Sequence, residues 1–141
     1  MKISRNAPAT PRPLEGKKVL VAGCSLGLDM QPFSQAGAFT CGLDNNQYSG
    51  VPNFVQADAT CLPFGNGSFD IVFSQRLVDQ LIPADTVQFL QEAYRVLKPG
   101  GAMIITHLLP EQERNYLIDQ GRKLGFELFE SYPLAFSLKK L

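Results

Sequence analysis

The stretch that decides the fold runs Val19-Leu20-Val21-Ala22-Gly23-Cys24-Ser25-Leu26-Gly27-Leu28-Asp29. Its first four residues are apolar and rich in β-branched side chains, the composition of a buried strand. Gly23 and Gly27 punctuate a tight turn, and Leu28 to Ala38 has the spacing of a helix. In an open parallel sheet, a nucleotide-like ligand sits in the crevice at the carboxyl end of such a strand. Backbone N–H groups and the positive end of the helix point into it.

A chain of 141 residues is expected to form one domain that buries about two-thirds of its unfolded surface. Thirteen basic residues balance thirteen acidic ones, so no overall field recruits nucleic acid or anionic lipid. The pairs Lys17-Lys18, Arg122-Lys123 and Lys139-Lys140 read as solvated ends of elements. Cys24, Cys41 and Cys61 lack any Cys-x-x-Cys spacing and read as small buried hydrophobes in a reducing compartment, with no metal site. No apolar run approaches the ~20 residues that span a bilayer, and the N-terminus lacks the apolar core of a signal peptide. A cytoplasmic chain with no membrane partner is the expectation.

Working outward, residues 1–16 carry Pro8, Pro11 and Pro13 without an apolar period, which predicts a flexible arm before a single domain over 17–141. Strands are expected over Lys18 to Ala22, Phe39 to Leu43, Phe54 to Ala57, Phe69 to Ser74 and Ala102 to Leu108. Helices are expected over Leu28 to Gln35, Asp85 to Leu97 and Glu111 to Leu124. The second should bury Val87, Leu90, Ala93, Tyr94 and Leu97 and stop at Pro99-Gly100-Gly101. Asp70 should cap the entry to the fourth strand. Phe126 to Phe129 and Leu134 to Leu138 should close the chain as a hairpin turned at Ser131-Tyr132-Pro133. Asn45-Asn46, Ser49-Gly50 and Pro52 leave little room for a helix between strands two and three. A parallel crossover normally takes about a dozen residues and a helix, so one sheet face should be thinly covered. The fold class is α/β: a mostly parallel Rossmann-like sheet with a C-terminal antiparallel hairpin.

Five segments together carry a resemblance. They are Gly23-Cys24-Ser25-Leu26-Gly27, Asp44 at the end of strand two, Gln56-Ala57-Asp58-Ala59 with Leu62-Pro63-Phe64, Ser68-Phe69-Asp70-Ile71-Val72, and Arg95-Val96-Leu97-Lys98-Pro99-Gly100-Gly101. In that order and spacing the chain resembles the class I S-adenosylmethionine-dependent methyltransferases, in the small methyltransferase type 11-like form. The resemblance implies S-adenosyl-L-methionine as cofactor and transfer of a methyl group to an acceptor that these residues do not identify. It implies cofactor contacts at Gly23, Cys24, Ser25 and Gly27, at Asp44 and Asn45, at Asp58 and Ala59, and at Ser74 and Gln75.

Physical roles can be set beside that resemblance. A carboxylate at Asp44, about twenty residues past the turn, is placed to accept from a ribose diol, as is expected of an acid there. It also fits a turn-capping Asp before Asn45-Asn46. Asp58 can accept from an exocyclic adenine amine while the Ala59 N–H meets a ring nitrogen. Leu26, Leu43, Leu62 and Phe64 offer apolar surface for the ring or simply fill the core. Methyl transfer from a sulfonium is an in-line displacement that needs alignment more than a nucleophilic side chain. His107, the only histidine, is the candidate general base, with an idle histidine as the plainer alternative. Asp79 and Gln80 stand where the resembled family often carries a His-His pair.

Val21 and Ser25 stand where that family usually has an acid and a glycine, which should weaken cofactor binding without forbidding it. With no lid in view, the open site implies a large acceptor, a homo- or hetero-oligomeric partner that completes it, or a non-catalytic subunit that keeps the fold. Gly23-Cys24-Ser25-Leu26-Gly27 also matches the G-x-S-x-G nucleophile elbow of hydrolases, but only the Pro-rich arm precedes strand one to supply an oxyanion loop.

Overall fold

A computed structural model of the chain describes residues 11–141. One seven-stranded sheet runs through it, built from β1 (Lys18–Ala22), β2 (Phe39–Asp44), β3 (Phe54–Gln56), β4 (Phe69–Gln75), β5 (Leu97–Thr106), β6 (Phe126–Tyr132) and β7 (Ala135–Lys140). The spatial order is β3-β2-β1-β4-β5-β7-β6. The first five strands pair in parallel, and β7 runs antiparallel to both β5 and β6. A strand flanked on both sides and covered on both faces has no solvated edge, so it reads as an unbroken apolar run. That is β1, where Val19, Leu20, Val21 and Ala22 each have 0% exposure.

The sheet has unequal faces. One carries α2 (Pro83–Val96) and α3 (Glu111–Leu124) over a core that includes Leu20, Val72, Phe89, Leu90, Met103 and Ile105. Among the described residues the other is covered by Leu14, Val51, a single 3-10 turn at Leu28–Met30 and the five-residue α1 (Gln31–Gln35). Ile71 and Phe73 on that face stay half-buried. The bare connection over residues 45–53 contains no helix, and the thin cover expected of it is found.

Several expectations are corrected. The first helix breaks into the 3-10 turn and α1, because Pro32 sits at its start and Gly37 ends it within one turn. α2 begins two residues early, at Pro83, a residue that suits a first helical position because no N–H is needed there. It buries Thr86, Phe89, Leu90, Ala93 and Val96, so its inward face is rotated from the expected one. Lys98-Pro99-Gly100-Gly101 does not stand between helix and strand. β5 starts at Leu97 opposite Phe69, and the register slips before Ile71 meets Ala102. Asp70 lies inside β4, where its Oδ2 accepts the Lys18 N–H at 2.9 Å and lies 3.5 Å from the Lys98 ammonium. The hairpin strands are longer than expected and turn at Pro133-Leu134. Cys24 and Cys41 are buried, but Cys61 is exposed. The expected arm falls largely on residues 1–10, outside the described residues; residues 13–16 form a turn whose Leu14 N–H donates to the Ala36 carbonyl at 2.8 Å.

One close approach joins the first turn to β2. A Cβ added at Gly42 would lie 2.6 Å from Met30 Sδ and 2.8 Å from Cys24 Sγ. Overpacking of that kind costs about 1–3 kcal/mol. Gly42→Ala should therefore lower the urea midpoint by that free energy at unchanged slope, and an unchanged midpoint would show the contact to be slack.

Candidate functional site

The site forms where the carboxyl ends of β1, β2, β3 and β4 meet. Gly23 follows β1 with φ 72°, a left-handed conformation that glycine adopts without a Cβ penalty. Its N–H and that of Cys24 both donate to the Leu43 carbonyl, at 2.7 and 3.0 Å. Ser25 follows with φ 49°, which a residue bearing a Cβ takes only when held there. What holds it is Asp44: Oδ2 accepts the Ser25 N–H at 3.0 Å, while Oδ1 accepts the Asn46 N–H at 3.0 Å. The carboxylate thus clamps two loops and keeps two of its four lone-pair sites free.

Asp58 lies two residues beyond β3, which ends at Gln56 and not at Ala57 as expected. Its Oδ1 accepts both the backbone N–H and the hydroxyl of Thr60 at 2.8 Å, and these bonds hold its carboxyl below the usual range. The loop after β4 supplies the facing wall. Arg76, at φ 59°, donates its N–H to the Thr106 carbonyl at 2.9 Å. Asp79 accepts the Leu108 N–H at 3.0 Å and pairs with Arg76 at 3.4 Å. Between these walls lies a cavity of about 270 Å³.

The structure brings Gly23, Ser25, Asp44, Asn45, Asp58, Ala59 and Gln75 to this one cavity. Cys24 and Ser74 are instead buried, at 1% and 0% exposure. Gly27 faces a separate hollow, beside Val51. Leu43 lines the cavity; Leu26 is exposed, and Leu62 and Phe64 pack in the core. Tyr48, Leu77, Gln80 and Leu81 also line it, and sequence reasoning missed them as wall residues. Tyr48 comes from a loop with no period and Gln80 from a single 3-10 turn (Val78–Gln80), so their only signal is their place just after β2 and β4.

His107 lies elsewhere. It is 1% exposed, its Nδ1 accepts the Leu109 N–H at 3.1 Å, and its Nε2 has no partner. Burial first, then the Arg114 charge, lowers its pKa, so the ring is neutral. In this conformation no acceptor reaches it as a base. Nor does Asp79 orient it, because that carboxylate is taken by Leu108 and Arg76. A Ser-His-Asp arrangement on Ser25 is therefore absent.

A family model described as a methyltransferase domain matches residues 20–105. The chain belongs to that family. The uncharacterized methyltransferase sll0829 of Synechocystis is 32% identical over 124 residues, covering 82% of this chain and 58% of that protein. Against ubiquinone biosynthesis O-methyltransferases of Rhizobium the chain spans less than half the relative's length. Among solved structures, the 1,6-didemethyltoxoflavin-N1-methyltransferase of Burkholderia thailandensis, with bound S-adenosylhomocysteine, superposes with TM-score 0.75 at 17% identity over 89% of this chain and 72% of that one. The methyltransferase in a Haloferax volcanii complex with the Trm112 activator gives 0.71 at 23%, over 82% and 63%. At these identities the likeness speaks for the fold. In this methyltransferase-domain chain, no helix among the described residues is long and apolar enough to cross a membrane.

The buried imidazole gives this domain a pH signature. A histidine whose folded pKa lies below its ordinary 6.5 contributes stability that is present above pH 6.5 and is lost as pH falls through the folded value. Unfolding free energy should drop below pH 6.5 by up to about 1.4 kcal/mol per pH unit. His107→Leu should flatten that part of the profile in denaturation series at pH 7 to roughly 5, and parallel profiles would contradict the assignment.

Proposed function

We propose that this chain transfers a methyl group from S-adenosyl-L-methionine to an acceptor approaching the carboxyl edge of the sheet. The carrying observation is that Asp44 and Asp58 open onto the same cavity as the Gly23–Ser25 turn and Gln75. Bound S-adenosylmethionine would supply an activated methyl on a sulfonium. The residues present suit that group. Two carboxylates with free lone pairs stand at successive strand ends, and no lysine or arginine is among the lining residues to repel a cationic donor.

In this reading Asp44 accepts from the ribose diol with the lone pairs that Ser25 and Asn46 leave open. Asp58 Oδ2 and the Ala59 N–H face the adenine edge, and Leu43, Leu77 and Leu81 give the ring apolar walls. The Gly23–Ser25 turn and Gln75 take the methionine end. With α1 only five residues long, backbone amides of the turn do that work and a helix dipole adds little. Rate comes from alignment and from exclusion of water, since the displacement asks for no protein nucleophile. His107 enters as a buried support of the β5 end; a base role would need β7 and Leu109 to open. The chain is read as cytoplasmic.

A second reading keeps the fold as a subunit that works beside a partner protein. The thinly covered face at Ile71 and Phe73 favours it, and the Haloferax volcanii protein of similar fold, seen in complex with the Trm112 activator, supports it by analogy.

Calorimetry with S-adenosylmethionine and S-adenosylhomocysteine separates the two. Saturable heat is expected, weakened about tenfold or more in Asp44→Ala and less in Asp58→Asn, which keeps one acceptor oxygen. No heat at ~1 mM ligand would leave only the partner-bound subunit.

A further inference from the structure

A second cavity, of about 420 Å³, opens beside the carboxyl end of β5, lined by Leu109, Glu111, Arg114, Ser131, Tyr132 and Pro133. Its cation is unmatched. Ion pairs among the described residues join Arg76 to Asp79, Arg95 to Glu92, Lys98 to Asp70 and Arg122 to Asp119, and none reaches Arg114. The half-buried Arg114 guanidinium donates once, from Nη2 to the Ser131 hydroxyl, and lies 5.8 Å from the Phe136 ring centroid. Its Nε–H is shut away from water with no acceptor among the described residues, and Nη1, which is not buried, makes no hydrogen bond there, so the Nη edge is the one left for a ligand. A planar cation left so short of partners costs free energy that a carboxylate would recover, because the guanidinium fork matches carboxylate geometry.

The cavity also sits where a methyl acceptor would need an anchor. The His107 N–H donates to the Leu134 carbonyl at 2.9 Å, which fixes the hairpin turn above the β5 end. The first cavity opens on the same sheet edge, at β1 to β4. With neighbouring strands ~4.8 Å apart, roughly 10–15 Å separate the two. Leu108 and Tyr132, 54% and 58% exposed, offer apolar surface along that edge.

From these observations we infer that the Arg114 cavity binds the carboxylate end of the methyl acceptor, an amphipathic molecule whose apolar body lies along the β5 edge towards the first cavity. The carboxylate site stands on Arg114 itself; its role as an acceptor anchor rests on the methyltransferase reading. Glu111 in the lining disfavours a dianion, so a monoanionic carboxylate binds in preference to phosphate. The Tyr132 hydroxyl is already committed to Glu130 at 2.5 Å, so it contributes its ring and not a hydrogen bond.

The test titrates the full chain with 4-phenylbutyrate, its neutral counterpart 4-phenylbutanol and inorganic phosphate, following the Arg114 Nε–H and the Ser131 amide by NMR. Saturable shifts with 4-phenylbutyrate, absent with the alcohol and weaker with phosphate, are expected. Arg114→Gln should weaken carboxylate binding about tenfold or more, while Arg114→Lys retains part of it. Equal shifts from acid and alcohol, or undiminished binding to Arg114→Gln, would overturn the inference, and the wild-type comparison stands even if a variant fails to fold. S-adenosylhomocysteine binding should be the same in Arg114→Gln and wild type; its loss from wild type would sink the methyltransferase reading and leave the carboxylate result intact.

Discussion

The site depends on the Asp44 carboxylate holding the Ser25 and Asn46 amides. Each bond from a backbone N–H to a carboxylate is worth roughly 1.5–3 kcal/mol, enough to keep Ser25 in a backbone region that its Cβ disfavours. The clamp ties the turn after β1 to the end of β2, and Gly42 lets Met30 and Cys24 pack against that strand from one side. Gly23 and Cys24 bonding to the Leu43 carbonyl completes the seam. Without it the cavity's first wall would drift from its second.

The sequence segments that resemble the family divide into two kinds of work. The Gly23–Gly27 turn, Asp44 and Asp58 stand at or near the cavity. The others build the frame. Arg95 donates from Nη1 to the Phe64 carbonyl at 2.7 Å and from Nη2 to the Leu62 carbonyl at 3.0 Å, while Glu92 accepts the Leu62 N–H at 2.9 Å. That network, in which the Arg95 partner holds the Glu92 carboxyl below its usual range, staples the Leu62-Pro63-Phe64 loop to α2. Asp70 gathers the Lys18 amide and the Lys98 ammonium at the opposite end of the sheet. Their spacing is fixed by the architecture and says little about the acceptor.

This division explains what could be read in advance. Central strands announce themselves, because a strand buried on both faces must be apolar throughout, as Val19 to Ala22 are. The bare loop over 45–53 was legible in its asparagines, glycine and proline. Local pattern failed where tertiary contacts decided. Lys98 to Gly101 falls inside β5 because Leu97 and Ala102 on either side both pair with β4 and the register slips between them, and His107 is buried because the hairpin lies over it. At the site, Asp44 and Asp58 were legible from their place at strand ends. Tyr48, Gln80 and Leu81 were not, since an irregular loop and a single 3-10 turn bring them to the wall.

A hollow shared by the first turn and the acids closing β2 and β3 should answer to an adenosine ligand as one unit. Amide NMR of the intact chain during titration with S-adenosylhomocysteine tests that most directly. The account predicts that Gly23, Ser25, Asn46, Ala59 and Gln75 shift together along one saturation curve while the α3 amides stay still. Shifts scattered over the surface, or confined to the thinly covered face around Phe73, would contradict it.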